Sequence, residues 1–299
     1  MTGKQLRANL LLLLAAMIWG AAFVAQSVGA DHVGPFTFLC CRSFLGCLVL
    51  LPVILLRRKA SPQKELEDRK SLLMGGLLCG MALFVASILQ QTGLQYTTAG
   101  KAGFLTAMYM VLVPISGLFF GKKPGIRVLF AVIIALTGMY LLCFSDGGFS
   151  GLNKGDLLEM LCAVCFTAHI LFIDRFSGRV DGVKMSCIQF FTCGLLSGMG
   201  MLLFETPTLQ QLMAAAAPIL YAGVLSSGVA FTLQIVAQKD SDPTVASLLM
   251  SLESVFSLIF GWIILREAMA GRELLGCVLM FAAIIWVQLP QRTKKDGTG

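Results

Sequence analysis

The chain has 299 residues, of which 57% are hydrophobic and 13% charged, with a formal net charge of +7. A soluble domain carries roughly a quarter charged residues and has no room inside for so many apolar ones, so an ordinary soluble protein is excluded. The basic residues sit in short loops, with no basic patch interleaved with aromatics, which argues against a nucleic-acid partner.

The apolar residues come in blocks of about twenty, enough at roughly 1.5 Å per residue to cross a hydrocarbon core of about 30 Å. They are continuous Leu/Ala/Phe/Met runs, not period-two alternations, so the fold class is all-α integral membrane and not a barrel. In chain order the spans are predicted at 8–29, 34–56, 71–92, 97–120, 127–144, 154–174, 185–204, 212–237, 244–264 and 272–289. The first follows Lys4 and Arg7 as a signal peptide would, but no small-residue cleavage site closes it, and it is read as a retained helix. Pro35 and Pro243 stand where spans begin, a position at which a missing N–H costs little. Pro114 and Pro218 fall inside spans, where each removes a backbone hydrogen bond and can bend the helix. All ten cysteines lie in apolar blocks and are read as reduced packing residues, the Cys162–x–x–Cys165 spacing included.

Orientation follows from the loops. With the N-terminus inside, only Lys154, Arg266 and Arg272 of the 23 basic residues fall outside, and only Arg42 and Lys101 lie within spans. The rest are cytoplasmic, including Arg57, Arg58, Lys59, Lys64, Lys122 and Lys123. Both termini are then cytoplasmic, which requires an even number of spans.

The two halves of the chain align. Residues 98–143 fall without gaps on 242–287 at an offset of 144: Ala102 on Ala246, Leu105 on Leu249, Val111 on Val255, Ile115 on Ile259 and Gly117 on Gly261. Leu89-Gln90 falls on Leu233-Gln234 at the same offset. Five spans per copy is an odd number, so the second copy is inserted upside down. Inverted repeats are a usual architecture of secondary transporters, with the substrate site near the midplane between the copies. The domains are therefore read as 1–149 and 150–290, five helices each, with a cytoplasmic tail at 291–299.

Several stretches carry a family resemblance: Trp19-Gly20, Cys41-Arg42-Ser43-Phe44, Ala99-Gly100-Lys101-Ala102-Gly103-Phe104-Leu105, Leu252-Glu253-Ser254-Val255-Phe256, Gly261-Trp262 and Arg266-Glu267. In order and spacing the chain resembles the EamA-type members of the drug/metabolite transporter superfamily over about residues 8–289. The resemblance implies ten helices in two inverted five-helix repeats. It also implies a central cavity lined by the first, third, fourth, sixth, eighth and ninth helices, and export or exchange of small metabolites, often amino acids. Two positions depart from the family pattern. Ser254 stands where the family often has Pro, which bears on the bend of the ninth helix. Lys122-Lys123 stands where an acidic residue is common.

Polar residues at membrane depth are the candidates for function. A carboxylate at the bilayer centre costs at least about 2.5 kcal/mol, so Glu253 must be protonated, paired or facing a watery cavity, and it is the proton-coupling candidate. Lys101, a turn into the fourth span, either snorkels outward or lines the cavity and pairs with Glu253 or a substrate carboxylate. For Arg42 a structural partner or snorkelling is favoured. Gln90 and Gln234 are repeat equivalents and serve as substrate contacts or inter-helix glue. Tyr109 is mid-span and equivalent to Glu253. Trp19 is too deep for an interfacial belt and reads as an aromatic wall, whereas Trp286 reads as an interfacial anchor; Tyr96 and Trp262 fit a cavity or a belt. His169 is read as a packing residue with a proton-relay alternative. The substrate-path candidates are thus Trp19, Gln90, Lys101, Tyr109, His169, Gln234 and Glu253. Small residues four apart, at Gly76/Gly80, Gly117/Gly121 and Gly194/Gly198, allow close helix packing within the bundle or, as the lesser reading, in a homodimer.

The partners implied are a small-molecule substrate and the lipid bilayer of the cytoplasmic membrane. No P-loop is present, so ATP is not used directly, and no metal or cofactor constellation is legible. An intramembrane enzyme would need paired Asp residues, a Ser–His dyad or a His-rich metal site, and Asp is absent from the span interiors. A channel would show a filter ring, and none is legible. These sequence features point to a secondary transporter, and the family resemblance implies that it moves a small metabolite, most simply an amino acid or related compound, outward; intramembrane enzyme and channel or scaffold are the alternatives.

Overall fold

A computed structural model describes residues 3–60, 68–119, 121, 125–143, 153–266 and 271–288. The tail at 291–299 and the loop positions Lys64, Lys122, Lys123 and Glu267 lie outside the described residues. The regular structure among the described residues is helical. The helices are α1 (Gly3–Ala30), α2 (Pro35–Ala60), α3 (Arg69–Gly93), α4 (Ala99–Leu118), α5 (Ile126–Cys143), α6 (Lys154–Ser177), α7 (Gly182–Phe204), α8 (Ala216–Gln238), α9 (Pro243–Leu265) and α10 (Gly271–Gln288). A short helical turn, Leu209–Ala214, leads into α8. Eight of these helices are long and apolar enough to cross a membrane, and α5 and α10 carry shorter apolar stretches, Ile126–Gly138 and Leu274–Ala283. Large apolar side chains such as Leu48, Leu73, Ile133, Leu161 and Leu202 point out of the bundle. In water such a surface would aggregate, whereas in lipid it is solvated. The chain is an all-α membrane protein.

Local sequence sets the helix ends. Asp68, Asp181 and Asp242 accept backbone N–H groups at the starts of α3, α7 and α9, and Pro243 takes the first helical position of α9. The Ser71 hydroxyl and N–H hold the Asp68 carboxyl below the usual carboxylate range. Asn153 and Asp156 form a reciprocal capping box at the start of α6. The start of α2 is capped from elsewhere: Glu205, at the end of α7, accepts the N–H groups of Phe36 (2.9 Å) and Thr37 (2.7 Å) and the Thr37 hydroxyl (2.6 Å). Along the rest of their length α2 and α7 pack through small residues, with Phe36 over Gly200 and Phe44 over Gly194. Gly76 and Gly80 of α3 likewise lie against Ile188 and Thr192 of α7, so these glycines are used within the bundle.

Packing partners follow a pattern that the 144-residue offset would generate. Helices five apart in order pack on each other at α2–α7, α4–α9 and α5–α10, the last pair standing at the edge of the bundle. The remaining major contacts come in matched pairs: α1 on α9 with α6 on α4, α2 on α8 with α7 on α3, and α3 on α6 with α8 on α1. At the edge, Arg127 of α5 lies 5.3 Å over the Trp286 ring of α10 and donates to its backbone carbonyl, in keeping with an anchoring role for this tryptophan.

Helices α4 and α9 are both broken in the middle, at Ala107–Met108 and Ser251–Leu252, which are positions related by the same offset. The tight three-residue hydrogen bonds match as well. Met108 N–H to Leu105 C=O has its counterpart in Leu252 to Leu249, and Met110 to Ala107 in Ser254 to Ser251. Proline is not the cause, because Pro114 lies within the continuous second half of α4 and Leu258 stands at its equivalent in α9. In α9 the hydroxyls of Ser247, Ser251, Ser254 and Ser257 each take the carbonyl three residues back, competing with the helical ladder. Ser254 thus supports the bend with both its hydroxyl and its N–H. Pro218 stands within Ala216–Leu220 at the start of α8, and the wide, π-type turns of that helix follow it at Tyr221–Phe231.

Replacing Glu205 with Ala leaves the first N–H groups of α2 without an acceptor. The expected cost is about 1–2 kcal/mol, read as a lower thermal midpoint of the purified protein in detergent, with Glu205→Gln retaining most of the stability. An unchanged midpoint in the Ala variant would rule out this cap as a stabilising contact.

Candidate functional site

The two helix breaks face a central cavity between the halves of the molecule. Its lining comes from α1, α3, α4, α6, α8 and α9, and also from α2 through Arg42. One side is aromatic and apolar, with Trp19, Phe23, Phe166 and Phe231; Trp19 meets Phe231 edge-on at 4.8 Å. The polar lining includes Gln26, Arg42, Gln90, Thr106, Gln234 and Glu253.

Glu253 and Tyr109 are each the first residue after a helix break, and they touch: the Tyr109 hydroxyl donates to Glu253 Oε1 at 2.9 Å. Both are buried, Glu253 at 5% exposure. Their separation in sequence is the offset itself, so the bond joins equivalent points of the two halves. A carboxyl so placed is held by a phenol and by the dipole of the half-helix it begins, and its free oxygen is left to the cavity.

A second buried carboxyl lies behind the cavity wall. Glu159 of α6 accepts from the Thr106 hydroxyl at 2.9 Å, and Thr106 in turn accepts from Gln90 Nε2 at 3.2 Å. Glu159 Oε1 has no partner among the described residues. Thr106 immediately precedes the α4 break, so that break is gripped from both ends, by Glu159 through Thr106 and by Glu253 through Tyr109.

Lys101 does not reach the cavity and pairs with neither Glu253 nor anything else lining it. Its ammonium binds Asp156 Oδ2 at 2.6 Å, where Asp156 is fully buried at the start of α6 and also accepts from Thr97 and Asn153. The cause is local: the capping box fixes Asp156 beside the first turn of α4, and a closer carboxylate wins. His169 also lies outside the cavity lining; it hydrogen-bonds Gln189 at 3.1 Å and packs edge-on against Phe231, as a packing residue would. Tyr96 and Trp262 are largely exposed, and Lys154 lies 4.9 Å over the Tyr96 ring. Trp19, Gln90, Tyr109, Gln234 and Glu253 all line the cavity. Gln90 is bonded to Thr106, while its equivalent Gln234 has an unpartnered Oε1 among the described residues.

Neither Glu159 nor Thr106 is among the residues singled out from sequence; Gln26 stays open there between substrate contact and inter-helix glue, and for Arg42, which lines the cavity, a structural partner or snorkelling is favoured. Glu159 and Asp156 both lie within the span predicted at 154–174, so the rule that singles out Glu253 applies to Glu159 as well. Among the described residues no group of three or more His, Cys, Asp or Glu side chains is arranged to hold a metal ion.

Removing the Lys101 ammonium strands a fully buried carboxylate. Lys101→Met is expected to cost about 2–3 kcal/mol in detergent unfolding, at or below the low end for a broken buried pair because Lys101 is partly exposed and Asp156 keeps its hydroxyl and N–H donors. Adding Asp156→Asn to the Lys101→Met background should recover part of that loss; additive effects in the double variant would refute the coupling.

The EamA-like transporter family matches the chain twice, over residues 6–144 and 153–289. An uncharacterized transporter of Archaeoglobus fulgidus is 32% identical over 287 residues, covering 96% of this chain and 87% of the relative. The uncharacterized transporter YoaV of Bacillus subtilis is 26% identical, covering 90% and 92%, and the chloroplastic WAT1-related protein At3g02690 of Arabidopsis thaliana is 23% identical, covering 91% and 67%. A solved crystal structure superposes with a TM-score of 0.77 at 20% identity, covering 94% of this chain and 98% of that one, which is a likeness of fold. With matches to both halves and a relative above 30% identity along nearly its full length, the chain belongs to the EamA-like transporter family.

Proposed function

We propose that the protein is an alternating-access carrier that moves a small organic metabolite, an amino acid or related compound, outward across the cytoplasmic membrane, linked to protons through Glu253. In this reading ten helices cross the bilayer, both termini are cytoplasmic, and residues 1–149 and 150–290 form two inverted five-helix repeats. The family membership supports a transporter. The matched helix pairings and the paired breaks of α4 and α9 support the repeats. Broken helices around a midplane site are where carriers bind substrate, because irregular backbone is tolerated at membrane depth only beside a cavity or inside protein.

The observation that carries the reading is the Tyr109–Glu253 hydrogen bond at the wall of the cavity. It ties the second half of α4 to the second half of α9, so a change in the proton load of Glu253 alters a contact between the two halves of the molecule. A carrier needs a coupling element of that kind.

In proteoliposomes, labelled amino acids or related metabolites should show counterflow, and an imposed pH gradient should accelerate the flux. Glu253→Gln is expected to keep counterflow at equal pH and to lose the response to the gradient. Absence of counterflow for every small organic solute would defeat the carrier assignment, and a gradient response preserved in the Gln variant would remove Glu253 from coupling.

A further inference from the structure

Arg42 poses a problem of charge. It sits inside α2 at 4% exposure and lines the central cavity. A guanidinium stays protonated in proteins, so it cannot escape burial by losing its charge as a carboxyl or an amine can. Its bonds go to neutral groups: Nη1 to Gln26 Oε1 at 2.7 Å and Nε to Ser227 Oγ at 3.3 Å. No carboxylate lies within ion-pair distance of it among the described residues. Glu253 lines the same cavity, yet its bond is to Tyr109 and not to Arg42. A cation at membrane depth without a counter-charge is expensive, and such residues pair with one another or mark the path of a charged solute.

The surroundings hold this cation in place. Gln26 orients one end of the guanidinium, and its own backbone carbonyl is held by Gln91 Nε2 at 3.0 Å. Ser227 belongs to the wide-turned segment Tyr221–Phe231 of α8. Three helices thus fix the planar fork and leave Nη2 without a partner among the described residues. Trp19 also lines the cavity, and its indole Nε1 is a second buried donor unpartnered among the described residues. Unused donors and an uncompensated positive charge beside an aromatic wall fit an anionic head group with an apolar body.

We infer that Arg42 is the anchor for the carboxylate of a small organic acid or amino acid with an apolar side chain, bound in the central cavity. The carboxylate takes the free edge of the guanidinium and the apolar body lies along Trp19, Phe23 and Phe231. This rests on the carrier reading for its purpose, though the site itself is a binding site and can be measured without transport.

The experiment is ligand-induced thermal stabilisation of the purified full-length chain in detergent, with L-phenylalanine, L-phenylalaninamide and hydrocinnamate as probes. The two carboxylates should raise the unfolding midpoint and the amide should not. Arg42→Gln should weaken both carboxylates about tenfold or more and abolish the preference over the amide. Arg42→Lys should keep the preference with weaker binding, because a point cation replaces the fork. The inference is overturned if neither carboxylate stabilises the wild type, if the amide matches L-phenylalanine, or if folded Arg42→Gln binds as the wild type does. Should Arg42→Gln fail to fold, the wild-type probe comparison and the Arg42→Lys result decide. Counterflow separates the two claims. Carboxylate binding without transport of any solute sinks the carrier reading and leaves the site; transport undiminished in Arg42→Gln sinks the site and leaves the carrier.

Discussion

Hydrocarbon offers no hydrogen-bond partner to a free backbone group, and that constraint orders the molecule. Each helix keeps its N–H and C=O groups to itself wherever it meets lipid, and an outright break in the helical ladder belongs in the interior. The two mid-helix breaks, Ala107–Met108 and Ser251–Leu252, obey this rule. They are surrounded by other helices and placed beside the cavity, where side chains and solute can take up what the ladder releases. The wide turns of Tyr221–Phe231 obey it in the same way, contributing Ser226 and Phe231 to the cavity wall. The wide turns of Gly261–Leu265, by contrast, face outward and away from the cavity, so it is the paired mid-helix breaks that mark the site.

Much of the architecture could be read from the sequence for the same reason. Lipid demands long apolar blocks, so span positions, the all-helical class and the 144-residue register are written in composition and spacing, and the offset survives to the level of single backbone hydrogen bonds. The site was less legible. Depth along a helix can be counted, which is how Trp19, Tyr109 and Glu253 came to attention. The direction in which a side chain points and the partner it meets depend on helix–helix packing that no local pattern encodes. Lys101 shows the limit: its distance from the membrane surface left both snorkelling and cavity open, and the outcome turned on Asp156, brought beside it by the capping box of another helix. Arg42 shows the converse, since a residue of α2 enters a cavity otherwise built from six other helices because Gln26 and Ser227 draw its guanidinium inward.

Where the two halves agree and where they differ separates scaffold from chemistry. Backbone breaks, helix pairings and many apolar positions repeat at the offset, because both copies solve the same packing problem in the same solvent. Apart from Gln90 and Gln234, the cavity-facing positions do not repeat in kind. Tyr109 faces Glu253, a phenol donating to a carboxyl, where strict symmetry would have given two phenols or two carboxyls. Two carboxylates in contact at membrane depth would repel unless they shared a proton, and two phenols would carry no charge to titrate. Gln90 is tied to Thr106, while Gln234 keeps an unpartnered oxygen at the cavity. A symmetric scaffold supplies two equivalent half-sites, and dissimilar side chains turn them into one site with distinct ends. In the proposed carrier such a site would hold a solute in one orientation, which two identical ends would not enforce.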